Sequence, residues 1–237
     1  MLTAEHPTKG AAPIDAVRLT RVTERPLTMP EQIAESITEA VLRGEYQPGD
    51  PVREQELASQ FQVSRGPIRE ALRILEKSGV ARIVPQRGAH ITKLSGKEVN
   101  DLFEMRRVLL GLLVRRLCPA EPALIQALDR EVRALEALLD NKEAWDEHSK
   151  ISLRIGRLMF AACDNERLVE TLETLVNQTA RYTRLGMRES ARRMQSAAGW
   201  RSLVTALTAG NPDTAAAAVE GLVEASRLAA LKELPQD

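Results

Sequence analysis

Residues 63–79 read VSRGPIREALRILEKSG, and their interpretation decides the first third of the chain. Ser64 is a residue of N-cap type, and Gly79 stands where a helix stops. Between them Ile68, Ala71, Leu72 and Leu75 recur at helical spacing and define one side to bury. Arg65, Arg69 and Arg73 stand at i, i+4 and i+8. Each step of four residues advances about 40° past a full turn, so the three guanidiniums form one stripe beside the apolar face. Gly66 and Pro67 keep the helix entry small and preset.

Upstream, a short helix over about 53–60 turns Leu57, Ala58 and Phe61 to one side, and Gln62-Val63 is a tight link. Before it, Tyr46–Asp50 is a turn. An earlier helix starts at Thr28, carries Pro30 and Glu31 in its first turn, repeats Ile33, Ile37, Ala40 and Val41, and stops at Gly44. Downstream, Val80–Val84 and Ala89–Thr92 flank Pro85–Gly88 and read as a hairpin. Helix, short helix, tight turn, capped helix and hairpin in that order predict a winged helix-turn-helix. An α-helix fits the major groove of duplex DNA, and a guanidinium donates two hydrogen bonds to guanine or phosphate. The free N–H groups at a helix start suit a phosphate oxygen. A row of arginines on a lone helix is ordinarily a solvated face. Here the cap, the turn and the wing tip Gln86-Arg87 accompany it in the required order. Residues 51–90 hold seven basic and four acidic side chains, a local excess in a chain whose 33 basic and 33 acidic residues cancel.

The remaining composition narrows the class. A length of 237 residues suggests two domains, and 43% hydrophobic with 28% charged residues is globular usage. Aromatics at 3% leave little to stack single-stranded nucleic acid on. Two cysteines, Cys118 and Cys163, make no disulfide scaffold and are expected as buried small apolar residues. The longest apolar run, Val108–Val114, has seven residues, far short of a membrane span, and no secretory signal is visible. A cytoplasmic protein without membrane association is expected. Residues 1–27 read as a flexible extension and 28–94 as the winged helix-turn-helix. Residues 95–237 read as an all-helical domain with helices near 97–117, 121–140, 143–163, 166–189, 191–209 and 213–233. Helices restarting over two to five residues pack antiparallel, so the fold class is mainly α with a small β-hairpin wing. Val108–Val114, apolar on nearly every face, is expected in a central helix.

The first module closely resembles the DNA-binding domain of GntR-type bacterial transcription regulators. The resemblance rests on Leu42–Asp50, Glu54–Ala58, Val63–Leu72 and Leu75–Gly79. It implies base or phosphate contacts from Arg65 and Arg69, and a cap or phosphate role for Ser64. It also implies positions near the DNA backbone for Gln55, Gly66 and Pro67, and a wing shaped by Gly88 that brings Gln86 and Arg87 to the minor groove. Gly66 stands where the family often has threonine, so one phosphate-facing hydroxyl is missing. The helical part resembles the FCD subfamily through Leu102–Arg107, Phe160–Leu168 and Leu203–Asn211.

Many members of that subfamily hold a divalent metal through an Asp and three His. The matching positions here are Ser152, Gly156, Trp200 and Leu222. Such a site needs converging imidazoles and carboxylates, and the bundle's single histidine, His148, lies two turns before the expected place, so no metal and no other cofactor is expected. Arg106 matches the arginine of the first effector helix and becomes the candidate anion anchor, unless Glu104 or Glu224 pairs with it. Ser152, Trp200 and Leu222 complete the candidate effector site. Trp200 and Leu222 either dry the cavity or fill it, and in the second case the bundle serves only dimerisation. Arg181, Tyr182 and Arg184 are further candidates for the cavity wall. The resulting expectation is a homodimeric regulator and not an enzyme, with repression more expected than activation. It would bind a palindromic DNA operator and answer to a small-molecule effector such as an organic acid.

Overall fold

A computed structural model describes residues 26–234, in which nine helices accompany one three-stranded sheet. Apart from Pro26 and Leu27, the extension expected at 1–27 lies outside the described residues. Helix α1 (Met29–Arg43) begins with the Thr28 N–H donating to Glu31 Oε2 at 2.8 Å, and Gly44 ends it in the left-handed region at φ 83°. Strand β1 (Pro51–Val52), helix α2 (Glu54–Gln60) and helix α3 (Arg65–Lys77) follow, then β2 (Ala81–Val84) and β3 (Gly88–Ile91).

Both outer strands pair antiparallel with β3, in the order β1-β3-β2, with Val52 and Ile83 each opposite Ala89. The two-stranded hairpin expected from the sequence is therefore a three-stranded sheet. The extra strand has two residues, too few for a period-two signal, and its Pro51 sits on an edge where no N–H is required.

Six helices complete the chain: α4 (Gly96–Arg116), α5 (Pro122–Ala137), α6 (Trp145–Ala162), α7 (Glu166–Gly186), α8 (Ser190–Thr208) and α9 (Pro212–Glu233). Ser95 caps α4 by accepting from the Glu98 N–H, and Asn165 and Asn211 do the same for α7 and α9. Buried apolar residues form two clusters. One joins Ile33, Ile37, Leu57, Ile68, Leu72 and Leu75 to Val52, Ala89 and Ile91 of the sheet. The other starts at Leu94 and fills the bundle with Phe103, Leu113, Leu128, Ile155, Met159, Leu172, Leu203 and Val219.

The helix carrying Val108–Val114 is only half central. Phe103, Leu110, Leu113 and Val114 are buried, and α4 packs on α7 and α9. Met105, Val108 and Leu112 share the opposite face, where Val108 is 61% exposed. Composition reports that a segment is apolar, not how many of its faces the same chain covers. Cys163 is buried as expected, whereas Cys118 is only partly so. Among the described residues no helix is long and apolar enough to cross a membrane.

The two clusters meet where α1 and the α3–β2 turn lie on α7. Gly79 marks a close approach. Its φ is +73°, and a Cβ there would fall 2.1 Å from Gln178 Nε2 of α7. Arg181 of α7 donates to the Tyr46 carbonyl at 3.2 Å and to Gln47 Oε1 at 2.8 Å across the same junction.

Candidate DNA interface and effector cavity

Helix α3 buries Ile68, Ala71, Leu72 and Leu75, leaving Arg65, Arg69 and Arg73 exposed on its outer face. Ser64 holds the N-cap backbone conformation at φ −70° and ψ 168°, but its hydroxyl makes no cap bond, contrary to expectation. The exposed hydroxyl and the first-turn N–H groups are left for an outside acceptor. Arg69 is not loose: its Nε donates to Glu54 Oε2 of α2 at 3.0 Å. Arg73 pairs with Glu70 at 3.5 Å, whereas Arg65 bonds to none of the described residues. Gln55 is exposed on α2 beside Glu54. A Cβ on Gly66 would meet only Ser64 Oγ at 3.9 Å, so packing does not demand glycine there, and Pro67 is partly buried in the first turn. The wing tip exposes Gln86, Arg87 and Gly88, with Gln86 at φ 63° and the Arg87 N–H closing the turn onto the Val84 carbonyl at 3.0 Å. His90 braces the wing from behind, its ring nitrogens lying 3.3 and 3.1 Å from the carbonyl oxygens of Gly49 and Arg87.

A partly open cavity of about 270 Å³ lies between the bundle and α1, and Arg106, Ser152, Trp200 and Leu222 all line it. Arg106 reaches in from α4. Its Nη1 donates to Thr179 Oγ1 at 3.0 Å and Thr183 Oγ1 at 3.3 Å, and its guanidinium lies 5.8 Å from the Phe103 ring centre. Its Nε has no partner. Neither candidate carboxylate neutralises it: Glu104 accepts from Asn100, and Glu224 holds Arg227. Burial, reinforced by the nearby Arg192 charge, lowers the Arg106 pKa to about 10, so it stays protonated at neutral pH.

Sequence reasoning did not single out Arg192, which enters from α8. It is buried, its Nη2 donates to Ser226 Oγ at 2.9 Å and the Leu222 carbonyl at 3.3 Å, and its Nε and Nη1 have no partner. Burial lowers its pKa to about 10 as well. Helical spacing concealed it, since Glu189 at i−3 is an ordinary ion-pair candidate for Arg192. Ser152 contributes little polarity, because its hydroxyl donates to the His148 carbonyl at 3.0 Å. Trp200 and Leu222 wall the cavity without filling it. Thr38 and Leu42 of α1 also reach the lining, beside the exposed Arg157, Glu173 and Asn177. Arg181, Tyr182 and Arg184 lie outside it. Arg181 spans the junction, Tyr182 packs in the core, and Arg184 pairs with Asp146 and stacks 4.9 Å from the Trp145 ring centre.

Comparison with known proteins agrees with this geometry. The profile for bacterial regulatory proteins of the gntR family matches residues 30–91, and that for the FCD domain matches residues 101–225, more than half of the chain. The chain belongs to the GntR family and carries an FCD domain. It is 28% identical over 155 residues to an uncharacterized HTH-type transcriptional regulator, YdhC, of Bacillus subtilis, covering 65% of this chain and 69% of that one. It is 27% identical over 154 residues to the HTH-type transcriptional repressor GlaR of Escherichia coli, covering 63% and 70%. Among solved structures, a structural-genomics GntR regulator from Rhodococcus sp. RHA1 superposes with a TM-score of 0.70 at 19% identity, covering 93% of this chain and all of that one. E. coli McbR/YncC gives 0.65 at 16% identity, covering 88% and 99%. This GntR-family protein is a DNA-binding transcriptional regulator.

Its FCD cavity does not suit a metal. Gly156 lines the wall together with Ser152, Trp200 and Leu222, so the four positions cluster, yet they offer one hydroxyl already bonded to a carbonyl. Among the described residues no three His, Cys, Asp or Glu side chains come together. His148 is fully buried outside the lining, with neither ring nitrogen bonded. Burial first, then the Arg193 and Arg192 charges, lowers its pKa to about 4 and keeps it neutral.

Proposed function

We propose that this regulator is a homodimeric cytoplasmic repressor whose grip on a palindromic operator is set by a small anionic effector, such as an organic acid, bound in the FCD cavity without a metal. One observation carries the reading. Arg106 holds a positive charge in a roomy, largely apolar cavity, with an unbonded Nε and no carboxylate beside it. A desolvated, unpaired charge is costly, and an anion entering the cavity removes that cost. The open volume weighs against a bundle that serves dimerisation alone.

On the DNA side, Arg65 and Arg69 read base edges or phosphate from the major groove. Ser64, Gly66 and Pro67 receive the backbone at the helix start, Gln55 lies against it from α2, and Gln86, Arg87 and Gly88 carry the wing. The exposed apolar stripe of Met105, Val108 and Leu112, with Leu228 of the adjacent α9, suits a second copy of the chain. Repression is the reading favoured by GlaR and by the gluconate operon transcriptional repressor of Bacillus licheniformis, which is 32% identical over 110 residues, 46% of this chain and 44% of that one.

Anisotropy titrations on a fragment of the protein's own promoter test the reading. Specific binding should disappear in Arg65→Ala and weaken sharply in Arg69→Ala. Organic acids that raise the melting temperature should also shift the DNA titration, and Arg106→Gln should abolish both responses. Effector responses unchanged in Arg106→Gln refute the anchor.

A further inference from the structure

Arg106 is not the only unpaired cation facing the cavity. Four charged side chains line it: Arg106, Arg157, Arg192 and Glu173. Arg157 and Glu173 are exposed and act on each other, the arginine opposing the upward push that desolvation gives the carboxyl. Arg106 and Arg192 have no such counterpart. Neither forms an ion pair among the described residues, and each presents at least one buried nitrogen without a hydrogen bond.

The neighbouring Arg193 shows what a structural arginine looks like in this helix. Its Nη1 donates to the main-chain carbonyls of Met187 at 2.8 Å and Arg188 at 3.0 Å, stapling the turn between α7 and α8; its Nε also lacks a partner, but it does not line the cavity. Arg192 behaves differently. One nitrogen is fixed on Ser226 Oγ and the Leu222 carbonyl, while Nε and Nη1 remain unsatisfied at 6% overall exposure. A guanidinium on the wall of a cavity, held by one corner and with two nitrogens unused, is preorganised for a ligand. It also sits against Leu222, one of the positions where the subfamily resemblance places a metal ligand. The two arginines are close enough that the Arg192 charge adds to burial in lowering the Arg106 pKa.

We propose that Arg192 is a second anion anchor and that the effector is a small organic dianion, one negative charge answering Arg106 and the other Arg192. This rests on the anionic-effector reading above and specifies it. A monoanion neutralises one guanidinium and leaves the other buried and unpaired, whereas a dianion satisfies both. A charged hydrogen bond formed in place of an unsatisfied donor supports a preference of at least about tenfold for the dianion.

Isothermal titration of the full-length protein decides the matter with four probes: succinate and glutarate as dicarboxylates, glycerol 3-phosphate as a phosphate monoester, and butyrate as a monocarboxylate. The best dianion should bind at least about tenfold more tightly than butyrate, and the stronger of the two dianion classes identifies the source of the second charge. In Arg192→Gln the preference should fall to about twofold with butyrate affinity retained, and Arg192→Lys should restore part of it. A merely structural Arg192 would weaken every probe alike. Butyrate binding as well as any dianion, or an undiminished preference in Arg192→Gln, overturns the second anchor and leaves Arg106 standing. Silence from all four probes overturns both readings. Should Arg192→Gln fail to fold, the wild-type comparison of butyrate with the dianions decides alone.

Discussion

Glu54 is predicted to act as a brake on DNA binding. Its Oε2 accepts from Arg69 Nε at 3.0 Å across the turn between α2 and α3. If Arg69 reaches a base edge or a phosphate, that ion pair must open first. The Arg69 side chain is 64% exposed and that of Glu54 36%, so solvent screens the pair, and such pairs contribute about 0.2–1 kcal/mol. Glu54→Gln removes this cost, which corresponds to roughly 1.5- to 5-fold tighter operator binding. Loss of a carboxylate beside the phosphates acts in the same direction. Arg69→Ala should weaken binding by about 1–3 kcal/mol if the guanidinium reads a base. Combining the two substitutions should leave only the part of the Glu54→Gln gain that comes from phosphate repulsion. Fluorescence anisotropy on the promoter fragment at several salt concentrations measures all four corners of this cycle. Weaker binding by Glu54→Gln refutes the brake and makes Glu54 a positioning residue for Arg69. A full gain in the Arg69→Ala background shows that the ion pair is irrelevant.

Three further outcomes follow from other parts of the molecule. His148 has a folded pKa of about 4 against an ordinary 6.5, so the unfolded chain takes up its proton first as pH falls. Its contribution is therefore complete above about pH 6.5 and is lost on acidification towards pH 4, by about 3 kcal/mol in all. Urea denaturation at pH 7 and pH 5 should show His148→Leu losing about 2 kcal/mol less than wild type between the two, and equal losses contradict the buried neutral imidazole. Val108→Glu, placed in the exposed stripe of α4, should yield a folded monomer by analytical ultracentrifugation with weaker operator binding, and an unchanged dimer moves the interface elsewhere. Leu42→Ala, on the cavity lining contributed by α1, should keep effector binding within about threefold while reducing the effector's influence on DNA affinity, and full influence excludes α1 from the coupling.

Much of this was readable from the sequence because it is local. The apolar face of α3, its arginine stripe, the stop of α1 at Gly44 and the bundle helices follow from spacing and caps within one element, and most boundaries fall within three residues of expectation. The cavity wall of Arg106, Ser152, Trp200 and Leu222 was reached through resemblance, not periodicity, since the four residues come from four helices. What the sequence concealed depends on partners far along the chain. Arg69 meets Glu54 across 15 residues, and Arg181 meets Tyr46 across 135. Two adjacent arginines on one helix, Arg192 and Arg193, diverge because one staples a turn and the other faces a void, a difference helical spacing does not report. Ser64 has the right identity and backbone for a cap, yet its rotamer leaves the bond unmade.

The route from cavity to operator is short. Leu42 and Thr38 belong to α1, whose Ile33, Ile37 and Val41 pack in one core with Ile68, Leu72 and Leu75 of α3. A close-packed core transmits displacement instead of absorbing it, so a shift of α1 against the ligand carries α3 and the wing with it. Among the described residues, polar contacts that resist such a shift include the Arg181 hydrogen bonds to Tyr46 and Gln47 and the Arg82–Glu98 ion pair at 3.3 Å, beside the approach of Gln178 to Gly79 around a second small cavity lined by Thr38 and Leu42 as well. Two recognition helices in a dimer must enter grooves about 34 Å apart, so a modest tilt of each head suffices to spoil the fit. About 1.4 kcal/mol of differential seating changes operator affinity tenfold, which one charged hydrogen bond to the effector can supply. An anion that satisfies Arg106 while pressing on Leu42 therefore has both the energy and the lever to control the heads.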